Sequence, residues 1–323
     1  MRRIALSCVL AFALASCSAL ADSNESGQSA PSGGLEQAKV TVGTLPIVDT
    51  VTVAIAQQKG YFKQEGLEVE LKTLTGGAAA VPGLVNGELH FAFGNFVSFF
   101  SAQAKGVADL KLVADGYQAT PGMFLIMRGK NSAIGKPQDL TGKKVAINTK
   151  NNIAELTARS ALEANGVDPK TVQFVEIPFP DMQAAVERKN VDAAFMVEPY
   201  ITQSQRSAGM TPVVDVATGA TQDVPIAGWA TSSKFAGTNP KTVAAFQRAI
   251  VKAQQDAADR RNVEEAIPTY AKVDKDTASL LHLGTWPTTL NAVRLQRVID
   301  LMRKHGVLDK DVNVEAMIVT QKS

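Results

Sequence analysis

The sequence predicts an α/β fold with mostly parallel sheets, arranged as two lobes of similar construction. Short apolar strand candidates alternate with segments of helical periodicity from about residue 39 onward, and this alternation is typical of parallel sheets covered by helices. The chain has 323 residues, which exceeds the size at which one hydrophobic core usually stops growing. A weak internal repeat also favours two lobes.

Three strand–helix pairs open the folded part. The strand candidates are residues 40–45, 67–74 and 89–93, and the helices that follow them end at Gly60, near Gly87 and around Lys105. Further on, Pro137 opens a helical turn and Gly142 allows a left-handed exit, after which residues 143–147 resume a strand. The order of elements is therefore strand, helix, strand through both halves.

Two long helices are predicted near the C-terminus. The first begins at Asn239-Pro240, a capping residue followed by proline at the first helical position, and the second ends at His305-Gly306. Both carry apolar stripes that we interpret as core: Val243, Phe246, Ile250, Ala253 and Ala257 in the first helix, and Leu295, Val298, Ile299 and Met302 in the second.

The internal repeat consists of two similar segments, residues 86–93 and 189–196. In each, a helix leads through a polar turn into an apolar strand. Two α/β lobes with equivalent strands would produce this pattern.

The N-terminus has the pattern of an export signal. Arg2-Arg3 precedes an apolar run from Ile4 to Ala15, and Leu14-Ala15-Ser16-Cys17 resembles a bacterial lipoprotein cleavage box. We therefore expect a signal peptide at residues 1–16, lipidation of Cys17 and a flexible Ser/Gly-rich tether to residue 37. The alternative is plain secretion with an incidental Cys17.

Composition excludes several function classes. The 33 Lys and Arg residues nearly balance 31 Asp and Glu residues, so no broad basic field supports nucleic-acid binding. The chain's 2 cysteines are Cys8 and Cys17, which leaves the folded part without a disulfide or a cysteine-bound metal. His90, His282 and His305 have no acid at metal or triad spacing, and the sequence has no Gly-x-Ser-x-Gly elbow and no Walker loop. We expect no enzyme, no cofactor and no metal.

A set of motifs in order along the chain carries a family resemblance. They are residues 54–66, Gly76-Gly77, Leu84-Val85-Asn86-Gly87-Glu88, Pro137-Gln138-Asp139-Leu140-Thr141-Gly142-Lys143-Lys144-Val145 and Val197-Glu198-Pro199-Tyr200. Together they resemble the extracytoplasmic solute-binding proteins of ABC importers, in the branch that serves nitrate, sulfonates, taurine and thiamine pyrimidine precursors. The resemblance covers almost all of residues 39–320.

The resemblance implies a type II periplasmic-binding-protein fold with a hinge and a central cleft. Lobe one would comprise residues 38–121 and 229–323 and lobe two residues 122–228, joined by crossover strands near 122–128 and 225–232. It also implies a monomer that captures a small solute outside the cytoplasm, held at the membrane by its lipid. The solute would then pass to the permease subunits of the importer.

Ligands of open α/β sheets bind beyond the carboxyl ends of the strands, and the loops at those positions supply the candidate residues. Each candidate also has a structural alternative, as a helix cap or a simple turn. The candidates are Val48 and Asp49, Gly76 and Gly77, Asn95, and the group Asn148, Thr149, Lys150 and Asn151. The last group combines amides with one cation and is the preferred anion site.

Further candidates follow from the resemblance or from side-chain chemistry. Glu198 is expected either to accept from a ligand amine or to hold the hinge through backbone amides. Tyr200 and Trp229 are able to stack on an aromatic ligand, and either is equally suited to core packing. Tyr117 is a weaker candidate of the same kind.

These residues do not identify the solute. A small organic anion of the sulfonate, taurine or nitrate type is the first hypothesis, because of the amide-rich loops. An aromatic heterocycle such as a thiamine pyrimidine precursor is the second, because of the aromatic residues and the acids Asp49 and Glu198. An enzyme resembling thiamine-pyrimidine synthase is disfavoured, since its chemistry needs cysteine and the folded part has none.

Overall fold

Two five-stranded sheets organise the chain. The first has the strand order β2-β1-β3-β10-β4 and the second has the order β7-β6-β8-β5-β9. The strands are β1 (Lys39–Thr44), β2 (Glu68–Thr73), β3 (Phe91–Asn95), β4 (Leu110–Gln118), β5 (Phe124–Arg128), β6 (Lys144–Ile147), β7 (Gln173–Glu176), β8 (Ala193–Val197), β9 (Thr211–Asp215) and β10 (Pro225–Ser232).

Helices connect and cover these strands in a computed structural model that describes residues 34–320. The predicted signal peptide, Cys17 and all but the end of the tether lie outside the described residues. The helices are α1 (Val51–Gln58), α2 (Tyr61–Gln64), α3 (Ala80–Asn86), α4 (Phe96–Ala104), α5 (Ile153–Ala164), α6 (Phe179–Glu187), α7 (Tyr200–Ala208), α8 (Ser233–Thr238), α9 (Pro240–Ala257), α10 (Arg260–Tyr270), α11 (Lys275–Leu280), α12 (Ala292–Lys304) and α13 (Val314–Met317).

Each sheet contains one reversed strand. In the first sheet β1 is parallel to β2 and β3, whereas β10 is antiparallel to both of its neighbours. In the second sheet β6 is parallel to β7 and β8, and β5 is the reversed strand. Four strands of each sheet therefore run in one direction, which confirms the predicted mostly parallel α/β class.

The reversed strands are the first strands laid down after the chain changes sheet. The chain leaves the first sheet between β4 and β5 and returns between β9 and β10. The predicted crossover segments, 122–128 and 225–232, are thus largely the strands β5 and β10, and β10 lies wholly in the first sheet. The exact limits of the two lobes stay a prediction.

The two halves of the internal repeat occupy equivalent places. β3 is the third strand of the first sheet and β8 is the third strand of the second, and every residue of both strands is buried. The repeated pattern of polar turn and apolar strand reflects the central position of each strand.

Aromatic packing joins β3, β10 and α9 in the core of the first sheet. The Phe91 and Phe246 rings stack with centroids 3.9 Å apart, and Trp229 meets Phe246 edge-on at 5.6 Å. Each of these rings is fully buried, and burying a phenylalanine side chain stabilises a fold by about 1.5–3 kcal/mol. The stripe predicted on residues 243–257 is therefore core, as is the stripe on α12.

A search for membrane-spanning segments finds none: between residues 34 and 320 no helix has both the length and the apolar character needed to cross a bilayer.

Candidate functional site

A small cavity lies between the two sheets, at the carboxyl ends of their parallel strands. The first sheet contributes the loops after β1 and β2, the end of β3 and part of β10, and the second contributes the segments after β6 and β7 together with residues of β8 and β5. Its walls are formed by Leu45, Ile47, Asp49, Gly77, Phe93, Gly94, Asn95, Phe124, Asn148, Ile153, Ala154, Phe179, Phe195, Val197, Ile226 and Ala227. The cavity therefore lies at the edge of the sheets where the strand-end rule predicts a ligand site.

Asp49 is the acidic residue of the cavity. It lies in a short 3₁₀ turn, Val48–Thr50, between β1 and α1, and only 5% of its surface is exposed. Burial raises the pKa of its carboxyl from 3.8 to about 7, and the residue's own backbone N–H lowers it only slightly. Val48 is also buried in this turn but does not line the cavity.

Two helix N-termini meet across the cavity through a chain of hydrogen bonds. Asn95 caps α4, and its Oδ1 accepts from Ser98 N at 2.9 Å and Ser98 Oγ at 3.1 Å. Asn152 caps α5 from the other sheet, and its Nδ2 donates to Ser98 Oγ at 2.9 Å. Ile153 and Ala154, in the first turn of α5, line the cavity, and Ile153 N donates to Asn152 Oδ1 at 2.7 Å.

The Gly76-Gly77 pair separates into two roles. Gly77 lines the cavity, and a Cβ at this position would lie 2.8 Å from Asn95 N, so the close approach requires glycine. Gly76 lies in a neighbouring groove facing Thr149 and Asn148 of the second sheet. Only one of the two glycines is therefore packed against the capped end of α4.

The preferred anion loop contributes one residue to the cavity. Asn148 lines both the cavity and the neighbouring groove, and Thr149 lines the groove alone. Lys150 and Asn151 are exposed and line neither. Their backbone N–H groups donate to two nearby carboxylates: Lys150 N to Glu176 at 2.8 Å and Asn151 N to Glu155 at 2.7 Å.

Glu198 forms internal contacts and does not line the cavity. Its buried carboxylate accepts from Thr202 N at 3.0 Å, Thr202 Oγ1 at 2.8 Å and His282 N at 3.0 Å. Its backbone carbonyl accepts from Val48 N at 3.2 Å. The carboxylate thus accepts from two backbone amides, and its role in holding the hinge stays a prediction.

The aromatic candidates lie outside the cavity. Trp229 is fully buried in the first sheet, where its ring packs edge-on against Phe93 at 5.2 Å. Tyr200 is half-buried in a separate groove beside Phe179, with ring centroids 6.1 Å apart. Tyr117 lies in the core, where its hydroxyl accepts from Gly284 N at 2.6 Å.

Four phenylalanines line the cavity instead: Phe93, Phe124, Phe179 and Phe195. Phe179 begins α6 shortly after the end of β7, so the strand-end rule also applies to the loop that leads into it. Phe93, Phe124 and Phe195 lie within buried strands, and a strand sequence alone does not show which of its apolar residues face a cavity rather than the core.

Metal binding has no support within the part of the chain that the structure describes, where no three His, Cys, Asp or Glu residues are grouped to hold an ion.

Comparison with known proteins decides the family. A family model described as NMT1/THI5 like matches residues 48–262, which is more than half of the chain. This chain belongs to the NMT1/THI5-like family. The matched region of this family member includes Asp49, Gly77, Asn95 and Asn148 from the cavity, together with Glu198.

Two relatives of this chain are named as binding proteins. The family member is 23% identical over 218 residues to the taurine-binding periplasmic protein of Escherichia coli, an alignment that covers 67% of this chain and 65% of that protein. It is also 23% identical over 276 residues to YtlA of Bacillus subtilis, covering 82% of each chain.

Solved structures share the fold. The alkanesulfonate-binding protein SsuA of Xanthomonas axonopodis pv. citri, bound to MOPS, superposes with a TM-score of 0.75 at 17% identity, covering 88% of this chain and 99% of that one. The nitrate-binding protein NrtA of Synechocystis PCC 6803 gives a TM-score of 0.72 at 16% identity, covering 88% and 86%. The periplasmic-binding-protein fold expected from the sequence is confirmed.

Proposed function

We propose that this chain is the solute-binding component of an ABC importer and that its solute carries a nitrogen that is cationic or donates a hydrogen bond. The solute would occupy the cavity between the sheets and hold them together, after which the loaded protein would dock on its permease. The taurine-, alkanesulfonate- and nitrate-binding proteins that it resembles support a receptor rather than an enzyme.

The observation that carries the choice of solute is the charge of the cavity wall. Asp49 is buried there, and no lysine, arginine or histidine from residues 34–320 lines the same cavity. A simple anion such as nitrate or an alkanesulfonate would bind beside Asp49 only while this carboxyl is protonated, because no cation of the wall balances a second negative charge once it ionises. A nitrogen bearing a positive charge or an N–H group would instead pair with Asp49.

The apolar wall favours a flat, partly aromatic body for this solute. Four phenylalanines surround the space beside Asp49, and aromatic rings bind other rings by stacking or edge-on contact. The amides of Asn95 and Asn148 are positioned to fix the orientation of a heterocycle through hydrogen bonds. An aromatic nitrogen heterocycle of the thiamine pyrimidine precursor type is therefore the solute that the geometry supports best.

A second candidate is an amino-sulfonate such as taurine. Its ammonium would pair with Asp49, and its sulfonate would lie against the first turns of α4 and α5, which meet at Asn95 and Asn152. Helix N-termini favour anionic groups because the helix dipole is positive there. The taurine-binding relative is consistent with this choice.

The test is isothermal titration of four solutes: the aminopyrimidine precursor of thiamine, taurine, ethanesulfonate and nitrate. Taurine and ethanesulfonate differ by one amino group, so they form a matched pair. We expect the aminopyrimidine to bind most tightly, taurine to bind more tightly than ethanesulfonate, and Asp49→Asn to weaken both amine ligands by tenfold or more. Ethanesulfonate or nitrate binding as tightly as the aminopyrimidine would refute the assignment.

The lipid anchor is proposed on the sequence alone. Cys17 follows Leu14-Ala15-Ser16, and acylation at this cysteine would keep the receptor at the membrane that contains its permease. We also propose that the protein acts as a monomer, with lobes at residues 38–121 with 229–323 and at residues 122–228.

A further inference from the structure

The segment Asp274–Trp286, here called the strap, follows β10 and α9 in the chain. It contains α11 and then an extended stretch that ends at Trp286. Although it lies outside both sheets, its hydrogen bonds reach residues that belong to each of them. The proposed function gives this segment no role.

On the side of the second sheet, the strap forms hydrogen bonds with α7 and with Glu198, which precedes the N-cap residue of α7. His282 N donates to Glu198 Oε1 at 3.0 Å, and His282 Nδ1 lies 3.3 Å from the same oxygen. Arg206, in the last turn of α7, donates to Thr277 Oγ1 at 2.7 Å.

On the side of the first sheet, the strap lies alongside the last residues of β4. Thr285 and Gln118 pair through two backbone hydrogen bonds of 2.9 and 3.3 Å, and Gly284 N donates to Tyr117 Oη at 2.6 Å. A Cβ on Gly284 would lie 2.7 Å from Gln118 O, so this close seating requires glycine. The strap is therefore fixed against the strand from which the chain leaves the first sheet.

The last residue of the strap, Trp286, contacts Asp49, the acidic residue of the cavity. Trp286 Nε1 donates to the backbone carbonyl of Asp49 at 3.0 Å, and both residues are buried. The preceding peptide, at Val48, donates its N–H to the carbonyl of Glu198 at 3.2 Å. The turn that carries Asp49 is thus held on one side by Trp286 and on the other by Glu198, and Glu198 also holds the strap at His282.

We propose that the strap positions the Asp49 carboxylate, with Trp286 as the positioning residue and Glu198 as the link from the second sheet. Movement of the second sheet relative to the first would act on the Val48–Asp49 turn directly through Glu198 and indirectly through the strap. The role assigned to Asp49 as a ligand contact rests on the proposed function, whereas the mechanical connection does not.

A pair of matched substitutions tests the connection in solute-free protein. Trp286→Phe keeps an aromatic ring beside Tyr117 and removes the N–H that holds Asp49. Trp229→Phe is the control, because its Nε1 is buried without a partner among the described residues. We expect hydrogen exchange of residues 45–50 to be about threefold to tenfold faster in Trp286→Phe, as for the loss of one hydrogen bond, and unchanged in Trp229→Phe.

A second variant tests the link from the other sheet. Glu198→Gln keeps the shape of the side chain but weakens the acceptor for His282 N, so exchange should increase both in residues 45–50 and in residues 282–286. Unchanged exchange of residues 45–50 in Trp286→Phe, or equal acceleration in Trp229→Phe, would overturn the proposal whatever the solute is.

Binding of benzylamine separates positioning from general loosening. Trp286→Phe should weaken benzylamine binding about threefold to tenfold in the wild-type background and have no effect in an Asp49→Asn background. Equal losses in both backgrounds would contradict a role through Asp49. Failure of the unsubstituted protein to bind any amine would count against the proposed function, and the exchange measurement would still decide the connection.

Discussion

Arg294 Nη1 donates a hydrogen bond to Asp115 Oδ2 at 2.7 Å, and this contact ties α12 to the terminal strand β4 of the first sheet. Asp115 is buried, whereas 29% of the Arg294 side chain is exposed. Burial raises the pKa of the Asp115 carboxyl to about 6, although the guanidinium of Arg294 acts in the opposite direction. The arginine therefore only partly compensates the cost of burying this carboxylate.

Replacing Arg294 should destabilise the protein more than replacing an arginine whose ion pair is exposed on the surface. We expect Arg294→Met to lower the free energy of unfolding by about 2–4 kcal/mol, because a buried carboxylate is left uncompensated. Arg303→Met on the same helix is the control, since its partner Asp311 is 97% exposed, and it should cost less than about 1 kcal/mol. Urea unfolding measures both, and the double variant Arg294→Met/Asp115→Asn should recover most of the loss.

Asp49 should make the stability of the unliganded protein fall as pH rises. Its folded-state pKa of about 7 lies above the ordinary value of 3.8, so its contribution is complete below about pH 4 and is lost as pH rises to about 7. Asp49→Asn removes this term, and at pH 8 the variant should be more stable than wild type by up to about 4 kcal/mol. Chemical unfolding across this range measures the difference. A gap that did not grow with pH would show that the carboxylate is solvated.

The same carboxyl should control amine binding. Benzylamine stays protonated between pH 5 and 8, so its affinity should rise about tenfold per pH unit up to about pH 7, as Asp49 ionises, and then level off. Benzyl alcohol, a neutral analogue, should show a flat profile. Titration calorimetry with both probes, repeated on Asp49→Asn, checks this expectation. A flat benzylamine profile in wild type would place its ammonium away from Asp49.

The two adjacent glycines should respond differently to a methyl group. In Gly77→Ala the Cβ would lie 2.8 Å from Asn95 N, whereas in Gly76→Ala its nearest neighbour is Thr149 Oγ1 at 3.5 Å. We expect Gly77→Ala to cost about 1–3 kcal/mol of stability and to weaken solute binding at least tenfold, through displacement of Asn95. Gly76→Ala should stay within about 0.5 kcal/mol of wild type. Thermal unfolding and calorimetry of the pair measure both effects.

Lipidation should depend on one of the two cysteines. In bacteria grown with radiolabelled palmitate, Cys17→Ala should abolish labelling of the full chain, whereas Cys8→Ala, within the predicted signal peptide, should retain it. Labelling of Cys17→Ala would assign the anchor elsewhere, and the absence of label in wild type would favour plain secretion.

The fold could be predicted closely from local patterns. The strands predicted at residues 40–45, 67–74 and 89–93 appear as β1, β2 and β3 with shifts of one to two residues at their ends. Helical periodicity also identified the core faces of α9 and α12. These signals are strong because each element must bury one face, which fixes the spacing of its apolar residues.

The site was less accessible from the sequence. Asp49, Gly77, Asn95 and Asn148 line the cavity because they lie at strand ends, which is a property that can be predicted. Trp229 has a ring suited to stacking on an aromatic ligand, but strand β10 directs this ring into the core. Lys150 lies in a suitable loop, and yet its exposed side chain lines no part of the cavity. The direction of a side chain depends on tertiary packing, and no local pattern reports it.

The reversed strand β10 also affects the order in which the two sheets of this protein become complete during synthesis. All strands of the second sheet come from one continuous stretch, residues 124–215, whereas the first sheet needs β10 to join β3 to β4. Until residue 232 has emerged, the first sheet consists of two unconnected parts, although most of its sequence appeared earliest. Because contacts between distant residues form slowly, the sheet built from residues 124–215 should form before the sheet whose strands come from both sides of that stretch.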